Sequence, residues 1–223
     1  MKKFWGFLLV IVLMTSCGEY QSLLKSNDYN LVYKKAIEYY NKGDYQRAMN
    51  LLDGVRSVFV GQAKAQNIAY YRAFCSYNMK DYQIASDLFK QFIQTYPESS
   101  FAEECLYMMG FCDYKASPKP RLDQQVTEKA IWEFQLYLSR YPYSMRKDKV
   151  NTYMDEMRDK LSYKAYLSAK NYYLREHYKA AVISLQNCLK DYPGSKYREE
   201  IMYMLFVSKY QMAVNSVEDK KVE

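Results

Sequence analysis

The feature that most constrains the fold is a phrase of the form Tyr-Pro-x-Ser, which occurs in QTYPESS (94–100), SRYPYSM (139–145) and KDYPGSK (190–196). Each copy follows an alanine by a fixed distance, with apolar residues four and seven positions after that alanine. This spacing marks one helix face, and the proline ends the helix because it lacks an N–H. Ser100 and Glu103 further predict a capping box for the next helix. The three sets are Ala85, Phe89, Phe92 and Pro97; Ala130, Phe134, Tyr137 and Pro142; and Ala181, Leu185, Cys188 and Pro193.

A second small residue lies twelve positions before three alanines of this kind, which predicts a second helix that crosses the first closely. These pairs are Ala36 with Ala48, Ala73 with Ala85, and Ala169 with Ala181. Short polar turns separate them, and the small residues recur with a period of 37. A fixed period in the thirties with two helices per repeat is typical of a helical solenoid. Residues 29–212 resemble the tetratricopeptide repeat, so we predict an all-α solenoid of about five repeats.

Departures from the period locate two insertions. Gly110 and Ala130 are twenty residues apart, which predicts a loop at 117–124 inside the third repeat. The segment 147–173 has a helical pattern, as one long helix or two abutting helices. The fifth repeat has a first helix at about 197–213 and no clear second one. Because solenoids normally cap a terminal apolar face, we expect either that the chain is truncated or that a partner covers that end.

Composition agrees with an all-α chain and argues against several functions. The chain has few glycines and prolines and no alternating strand pattern. Its net charge of +7 becomes about +5 without Lys2 and Lys3, and no basic stripe or nucleic-acid motif accompanies it. The single histidine, His177, lies in a turn, and no metal-ligand spacing, phosphate loop or catalytic triad is present. We therefore expect no enzyme activity, cofactor, metal or nucleic-acid partner.

The amino terminus, MKKFWGFLLVIVLMTSCGEY, has the layout of a bacterial secretion signal over residues 1–16. Its apolar run is too short for a resident membrane-spanning helix. LMTSC resembles a lipobox, which implies lipidation at Cys17; the alternative is an ordinary signal peptide with a coincidental cysteine. Gly18, in place of an aspartate, resembles the rule for release to the outer membrane. Residues 17–28 would then form a lipidated tether at the periplasmic face.

Four further cysteines lie in helical segments. Cys75 and Cys112 occupy the same position in neighbouring repeats, and Cys105 lies two turns from Cys112 on one helix. Neither arrangement suits disulfide geometry, although an oxidising compartment permits a bond. We predict that these three residues and Cys188 are buried small apolar side chains.

Tyrosine is the most distinctive residue of the chain, with 26 copies. A pair spaced by seven recurs in every first helix, three before and four after the small residue, on one stripe. Between the two rings lies Ile37, Phe74 or Phe111 in the first three repeats, and Lys170 in the fourth. In the tetratricopeptide fold these positions line the concave face, although they also serve packing. The pairs are Tyr33/Tyr40, Tyr70/Tyr77, Tyr107/Tyr114, Tyr166/Tyr173 and Tyr203/Tyr210.

The order of these features resembles the BamD family of outer-membrane β-barrel assembly lipoproteins. The closest segments are YMMGFCDY (107–114), EKAIWEFQLYLSRYP (128–142) and MRDKLSYKAYLSAKNYYLREHYKAAVISLQNCLKDYP (157–193). The resemblance implies a non-enzymatic lipoprotein at the periplasmic face of the outer membrane. The three repeats in 29–145 would receive unfolded outer-membrane proteins, and 146–223 would dock on the POTRA region of a BamA-type barrel subunit.

Mapped onto this chain, the resemblance implies a peptide-binding groove whose candidate residues are Tyr33, Tyr40, Tyr70, Phe74, Tyr77, Tyr107, Phe111 and Tyr114. The docking region would span about Tyr163 to Gln211. A groove of aromatic rings and amides such as Asn41 and Asn78 suits an extended peptide. The alternative function is a tetratricopeptide lipoprotein scaffold that regulates peptidoglycan enzymes.

Overall fold

The structure is a computed structural model that describes residues 18–219, with side chains through residue 215. The predicted signal peptide and Cys17 lie outside this range. Within it the chain forms ten helices and no strand. The all-α helical-repeat fold is therefore confirmed. The helices are α1 (18–24), α2 (Tyr29–Asn41), α3 (Tyr45–Val55), α4 (Ala63–Asn78), α5 (Tyr82–Thr95), α6 (Ala102–Ala116), α7 (Gln125–Arg140), α8 (Lys147–Leu174), α9 (Tyr178–Asp191) and α10 (Arg198–Asp219).

The chain divides into two compact units. The first contains the described residues up to Ala116 and also Gln135–Tyr141. The second contains Ser117–Phe134 and the residues from Pro142 onward. In the first unit α2 to α6 pack consecutively, each against the next; in the second, α8, α9 and α10 pack against one another. The predicted functional division at 145/146 stays a prediction.

The small residues lie where the period predicts close helix crossings. All eight are buried, and seven of them are alanines with no exposed surface, because a larger side chain would separate the paired helices. Around them pack the phenylalanines and leucines of the second helices, such as Phe89, Phe92 and Leu185. The residues are Ala36, Ala48, Ala73, Ala85, Gly110, Ala130, Ala169 and Ala181.

The turns inside the repeats share one backbone design. Gly43, Lys80 and Glu176 adopt positive φ angles of 81°, 67° and 59°. The next residue is the N-cap of the following helix, and the residue after that is its first tyrosine. Where the N-cap is Asp44, its Oδ1 accepts the backbone N–H of Arg47 at 3.2 Å, which satisfies a donor that the helix leaves unpaired. His177 is the exposed N-cap of α9.

The Tyr-Pro-x-Ser phrases end α5, α7 and α9 as predicted, and the tyrosines before Pro97 and Pro193 have left helical geometry, with φ near −130°. The capping-box prediction is wrong. Ser99, and not Ser100, accepts a backbone N–H, from Phe101 at 3.2 Å. Glu103 instead accepts the Tyr137 hydroxyl at 2.9 Å. The serine two residues after the proline does the same in the other phrases, where Ser144 accepts from Arg146 and Ser195 from Tyr197.

The two predicted insertions are present. Residues 117–124 connect α6 to α7, and 147–173 belong to one continuous helix, α8, of 28 residues. The helix of the fifth repeat, α10, is predicted to end near residue 213 but continues to Asp219.

Part of the predicted tether is a packed helix. Residues 18–24 form α1, where Leu23 is 6% exposed and Glu19 pairs with Lys35 at 2.9 Å. Tyr20 accepts a hydrogen bond from Asn50. The apolar and polar groups of these residues find partners on α2 and α3, so only residues 25–28 remain as a connection to α2.

All four helical cysteines are buried, as predicted. Cys75, Cys105 and Cys112 have no exposed surface and Cys188 has 2%. Burial raises the pKa of the Cys75 and Cys105 thiols to about 12, so neither is a reactive thiolate near neutral pH.

Candidate functional site

A chain of contacting aromatic rings runs through the first helices of the first compact unit. Its links join ring centroids 4.5–6.4 Å apart, distances at which aromatic pairs attract each other in edge-to-face or tilted geometry. Seven of the eight candidate residues take part, together with Tyr71. The sequence of contacts is Tyr40, Tyr71, Tyr70, Phe74, Tyr77 and Phe111, which in turn touches Tyr107 and Tyr114.

A groove of about 530 Å³ opens beside this chain, between α2 and α4. Its walls are mostly aromatic and aliphatic, and two amides and one charge of each sign lie among them. We call this cavity the tyrosine groove. Its lining residues are Tyr33, Lys34, Ile37, Glu38, Asn41, Asn67, Tyr70, Tyr71 and Phe101.

Hydrogen bonds hold Tyr70, in the groove lining, and Tyr40, in the adjoining chain of rings, in place. The Tyr70 hydroxyl donates to Glu104 Oε2 at 2.9 Å, and Asn78 Nδ2 donates to the Tyr40 hydroxyl at 3.4 Å. Burial is the main reason that the pKa of Tyr40 rises to about 12, and burial followed by the Glu104 hydrogen bond raises the pKa of Tyr70. Burial also raises the pKa of Tyr33, which hydrogen bonding by Asn67 partly opposes. The raised pKa values keep Tyr33, Tyr40 and Tyr70 uncharged across the physiological range.

The candidate residues fall into two sets. Tyr33 and Tyr70 line the tyrosine groove, whereas the other six support its wall or continue the ring chain along the unit. Tyr33 packs against Phe59 at 6.1 Å, with the Lys64 ammonium 5.8 Å from the centre of its ring. Tyr107 is only 7% exposed, so its ring is chiefly a packing element against Tyr137.

Tyr71, Phe101 and Asn67 line the groove although the tyrosine-pair rule does not select them. Phe101, at the start of the next repeat, contacts Tyr70 in a tilted geometry at 4.5 Å, and Asn67 lies 34 residues after Tyr33. The same offset of 34 separates Tyr70 from Glu104. A search for polar residues at this offset from the first tyrosine of each pair would have found the partners of Tyr33, Tyr70 and Tyr166.

Chemically, the tyrosine groove offers flat apolar surface together with amide and hydroxyl groups. Asn41 is exposed and Asn67 is half-buried, so both can exchange hydrogen bonds with a peptide backbone. Aromatic rings contribute large contact areas with little loss of side-chain entropy. This arrangement can hold an extended peptide that carries apolar side chains.

The second compact unit has a counterpart of different character. Tyr166 stacks on Tyr197 with centroids 4.4 Å apart, and its hydroxyl donates to Glu200 Oε2 at 2.7 Å. Lys170 Nζ donates to both the Tyr166 hydroxyl and Glu200 Oε1. An ionic cluster therefore occupies the place that Phe74 fills in the first unit.

Two other features bear on function. Among residues 18–219, no cluster of three or more His, Cys, Asp or Glu side chains is arranged to hold a metal ion. In the same range, none of the helices combines the length and hydropathy needed to cross a bilayer.

Comparison with known proteins identifies a family for this chain. No curated protein matches the chain. The model of the YfiO family, described as outer membrane lipoprotein, matches residues 25–223, which include helices α2 to α10. The repeats, the groove and the ionic cluster all fall inside this match, and the chain belongs to the YfiO family of outer membrane lipoproteins.

Proposed function

We propose that this protein is the BamD-type component of an outer-membrane β-barrel assembly machine, anchored by lipid at Cys17. The first compact unit receives segments of unfolded barrel proteins in the tyrosine groove. The second unit docks on the POTRA region of a BamA-type subunit. Membership of an outer membrane lipoprotein family, together with a peptide-sized aromatic groove, is the observation that carries this proposal.

The groove supports a polypeptide substrate for physical reasons. Strands of a membrane barrel alternate apolar and polar side chains, so an unfolded strand presents apolar groups at every second residue. Tyr33, Tyr70 and Phe101 can receive such groups, and Asn41 and Asn67 can bind the backbone between them. Recognition of this kind depends little on the exact sequence, as a general assembly factor requires.

An exposed stripe on α10 supports docking by the second unit. Met202, Tyr203, Phe206 and Tyr210 are 52–71% exposed on one face of the helix. Phe206 stands where the earlier repeats have a buried alanine or glycine that contacts a second helix. Contiguous exposed aromatic side chains are typical of protein interfaces.

The test has two parts. Purification of the full-length lipoprotein in mild detergent should recover a large barrel protein with POTRA domains, identified by mass spectrometry. Phe206→Ser should reduce that recovery without unfolding the chain. Recovery of peptidoglycan enzymes instead would overturn the proposal in favour of the cell-wall scaffold.

For the groove, a photo-reactive phenylalanine in place of exposed Lys34 or Asn41 should cross-link to an unfolded barrel protein during its assembly. The same group in place of exposed Lys90, on α5 and away from the groove lining, is the matched control. Equal cross-linking at all three positions would remove the tyrosine groove from the substrate path.

A further inference from the structure

A second cavity, of about 580 Å³, lies in the second compact unit between the inserted loop 117–124 and α8. Three cationic side chains line it: Arg121 from the loop, and Lys164 and Lys170 from α8. Leu167 and Leu174 form apolar wall, and Asn171 adds an amide. None of its lining residues is acidic, so this basic cavity presents positive charge against an apolar surface.

The loop that forms one wall is fixed by its own hydrogen bonds. Gln124, 2% exposed, donates to the carbonyls of Lys119 and Leu122 at 2.9 and 3.1 Å. Its Oε1 accepts from the buried Thr127 hydroxyl at 2.8 Å. Lys160 Nζ donates to Ser117 Oγ at 2.6 Å and so ties the start of the loop to α8. The cavity is therefore formed before any ligand arrives, as is usual for binding sites.

The two lysines are also held in position. Lys164 Nζ donates to the Leu122 carbonyl at 2.8 Å, which occupies one of its three protons. Lys170 lies between the Tyr166 hydroxyl and Glu200, and its hydrogen bond to Glu200 is the largest cause of its raised pKa. Its partner Glu200 offsets part of its charge, so Arg121 and Lys164 carry most of the attraction for an anion.

We propose that the basic cavity binds a carboxylate-bearing segment of a polypeptide, with acidic side chains at Arg121 and Lys164 and apolar neighbours against Leu167 and Leu174. Guanidinium and ammonium groups form short, charge-assisted hydrogen bonds with carboxylates. The leucine wall and the Asn171 amide favour a peptide over a free inorganic anion, because they match an apolar side chain and a backbone group. This site is separate from the tyrosine groove and does not depend on it.

The experiment measures binding of a short fluorescent peptide, glutamate alternating with leucine, to the full-length lipoprotein in neutral detergent by fluorescence anisotropy. The Arg121→Gln/Lys164→Gln variant should weaken binding by about tenfold or more, because charge-assisted hydrogen bonds are roughly twice as strong as neutral ones. The controls are the single variants: Arg121→Gln should already weaken binding, whereas Lys119→Gln, which removes one positive charge from the same loop at a residue outside the cavity lining, should leave affinity within about twofold.

Three results would overturn the proposal. The first is equal affinity for the corresponding glutamine peptide, and the second is an equal loss in the Lys119→Gln control. The third is direct binding of phosphatidylglycerol micelles that depends on Arg121, with no binding of the glutamate peptide, which would identify a lipid phosphate as the ligand. Circular dichroism of each variant excludes unfolding. Cross-linking at the tyrosine groove should be unchanged, so this test and that of the proposed function fail independently.

Discussion

The same four repeat positions are used differently in the two compact units. In the first they are Tyr70, Phe74, Phe101 and Glu104, and in the second, 96 residues later, Tyr166, Lys170, Tyr197 and Glu200. Both tyrosines donate to a glutamate 34 residues on. Both also contact the ring that begins the next repeat, at 4.5 Å in a tilted geometry for Tyr70 and at 4.4 Å in a stacked geometry for Tyr166. Only the residue after the crossing alanine changes in kind, from a ring to a cation.

This single difference decides what each site offers. Phe74 extends the aromatic wall, with ring contacts to Tyr70 and to buried Phe89 at 4.5 and 5.0 Å. Lys170 instead donates hydrogen bonds to Tyr166 and Glu200, and it also lines the basic cavity. Equivalent repeat positions thus support an apolar groove in one unit and an ionic surface in the other.

The largest expected effect tests the close helix crossing that precedes Phe74 in one unit and Lys170 in the other. Ala73→Leu and Ala169→Leu should each lower the free energy of unfolding by about 1–3 kcal/mol, because both alanines are fully buried at helix crossings and overpacking forces the helices apart. Urea denaturation of each variant measures the loss. Ala213→Leu, at an exposed position of α10, should have little effect. Unchanged stability in both alanine variants would mean that the crossings tolerate a larger side chain and are not the shared frame.

The next effect tests the difference itself. Phe74→Lys removes a half-buried ring from three aromatic contacts, to Tyr70, Tyr77 and Phe89, and should cost about 1–2 kcal/mol of stability. Lys170→Phe should cost less, because the side chains of the Lys170–Glu200 pair are 35% and 46% exposed, so that water and salt screen their attraction. Thermal melts of both variants at low and high salt would separate the contribution of the ion pair, which salt screens, from that of the aromatic contacts. A larger loss for Lys170→Phe would show that the ionic cluster, and not the aromatic wall, is the more stabilising version.

A third prediction concerns alkaline pH. Burial raises the pKa of Tyr40 from 10.0 to about 12, so an unfolded chain releases this proton before the folded chain does. The stabilisation is therefore complete below pH 10 and is lost as pH rises toward about 12. Tyr40→Phe should flatten the fall in stability over that range, which denaturation midpoints at several pH values would measure.

Tyr166→Phe should flatten the same pH dependence less. Burial raises the pKa of Tyr166 too; the hydrogen bond from Lys170 stabilises its phenolate and opposes the rise, while the hydrogen bond to Glu200 adds to it. Phenolate absorbance is followed during an alkaline titration of the unmodified protein and of each single variant. The difference between the two curves reports the tyrosine that the variant lacks. Equal slopes for the two variants would contradict the proposed contrast between the aromatic and ionic sites.

Much of the frame was predictable from the sequence because it depends on single small residues and prolines at fixed intervals. Ala73, Gly110 and Pro97 locate crossings and helix ends without knowledge of any neighbour. The lining of the groove was less predictable. Tyr71 and Phe101 reach it through ring orientations and contacts between repeats that a stripe rule on one helix does not contain.

Local polar chemistry was also only partly predictable. Ser99 and Ser100 are adjacent and chemically identical, and only the backbone path after Pro97 decides which hydroxyl meets the N–H of Phe101. Likewise, Glu103 and Glu104 both fit a helix start. Glu103 accepts a hydrogen bond from the Tyr137 hydroxyl, whereas Glu104 accepts one from the Tyr70 hydroxyl, on a different helix. Tertiary contacts, which sequence spacing does not specify, make these choices.

The smallest expected effect concerns the turns, which place the tyrosine pair relative to the second helix in both units. Lys80 and Glu176 hold positive φ angles where the first repeat has Gly43, and a side chain costs free energy in that conformation. Lys80→Gly and Glu176→Gly should each raise the free energy of unfolding by about 0.5–1 kcal/mol, measured from urea midpoints. Lys42→Gly, at a residue with φ of −82°, should lower it instead, since there glycine adds only flexibility to the unfolded chain. Equal gains at Lys80 and Glu176 would mean that the turn is the same in both units and that their contrast resides in the residue after the crossing alanine; a gain in one unit alone would place part of the contrast in the turn.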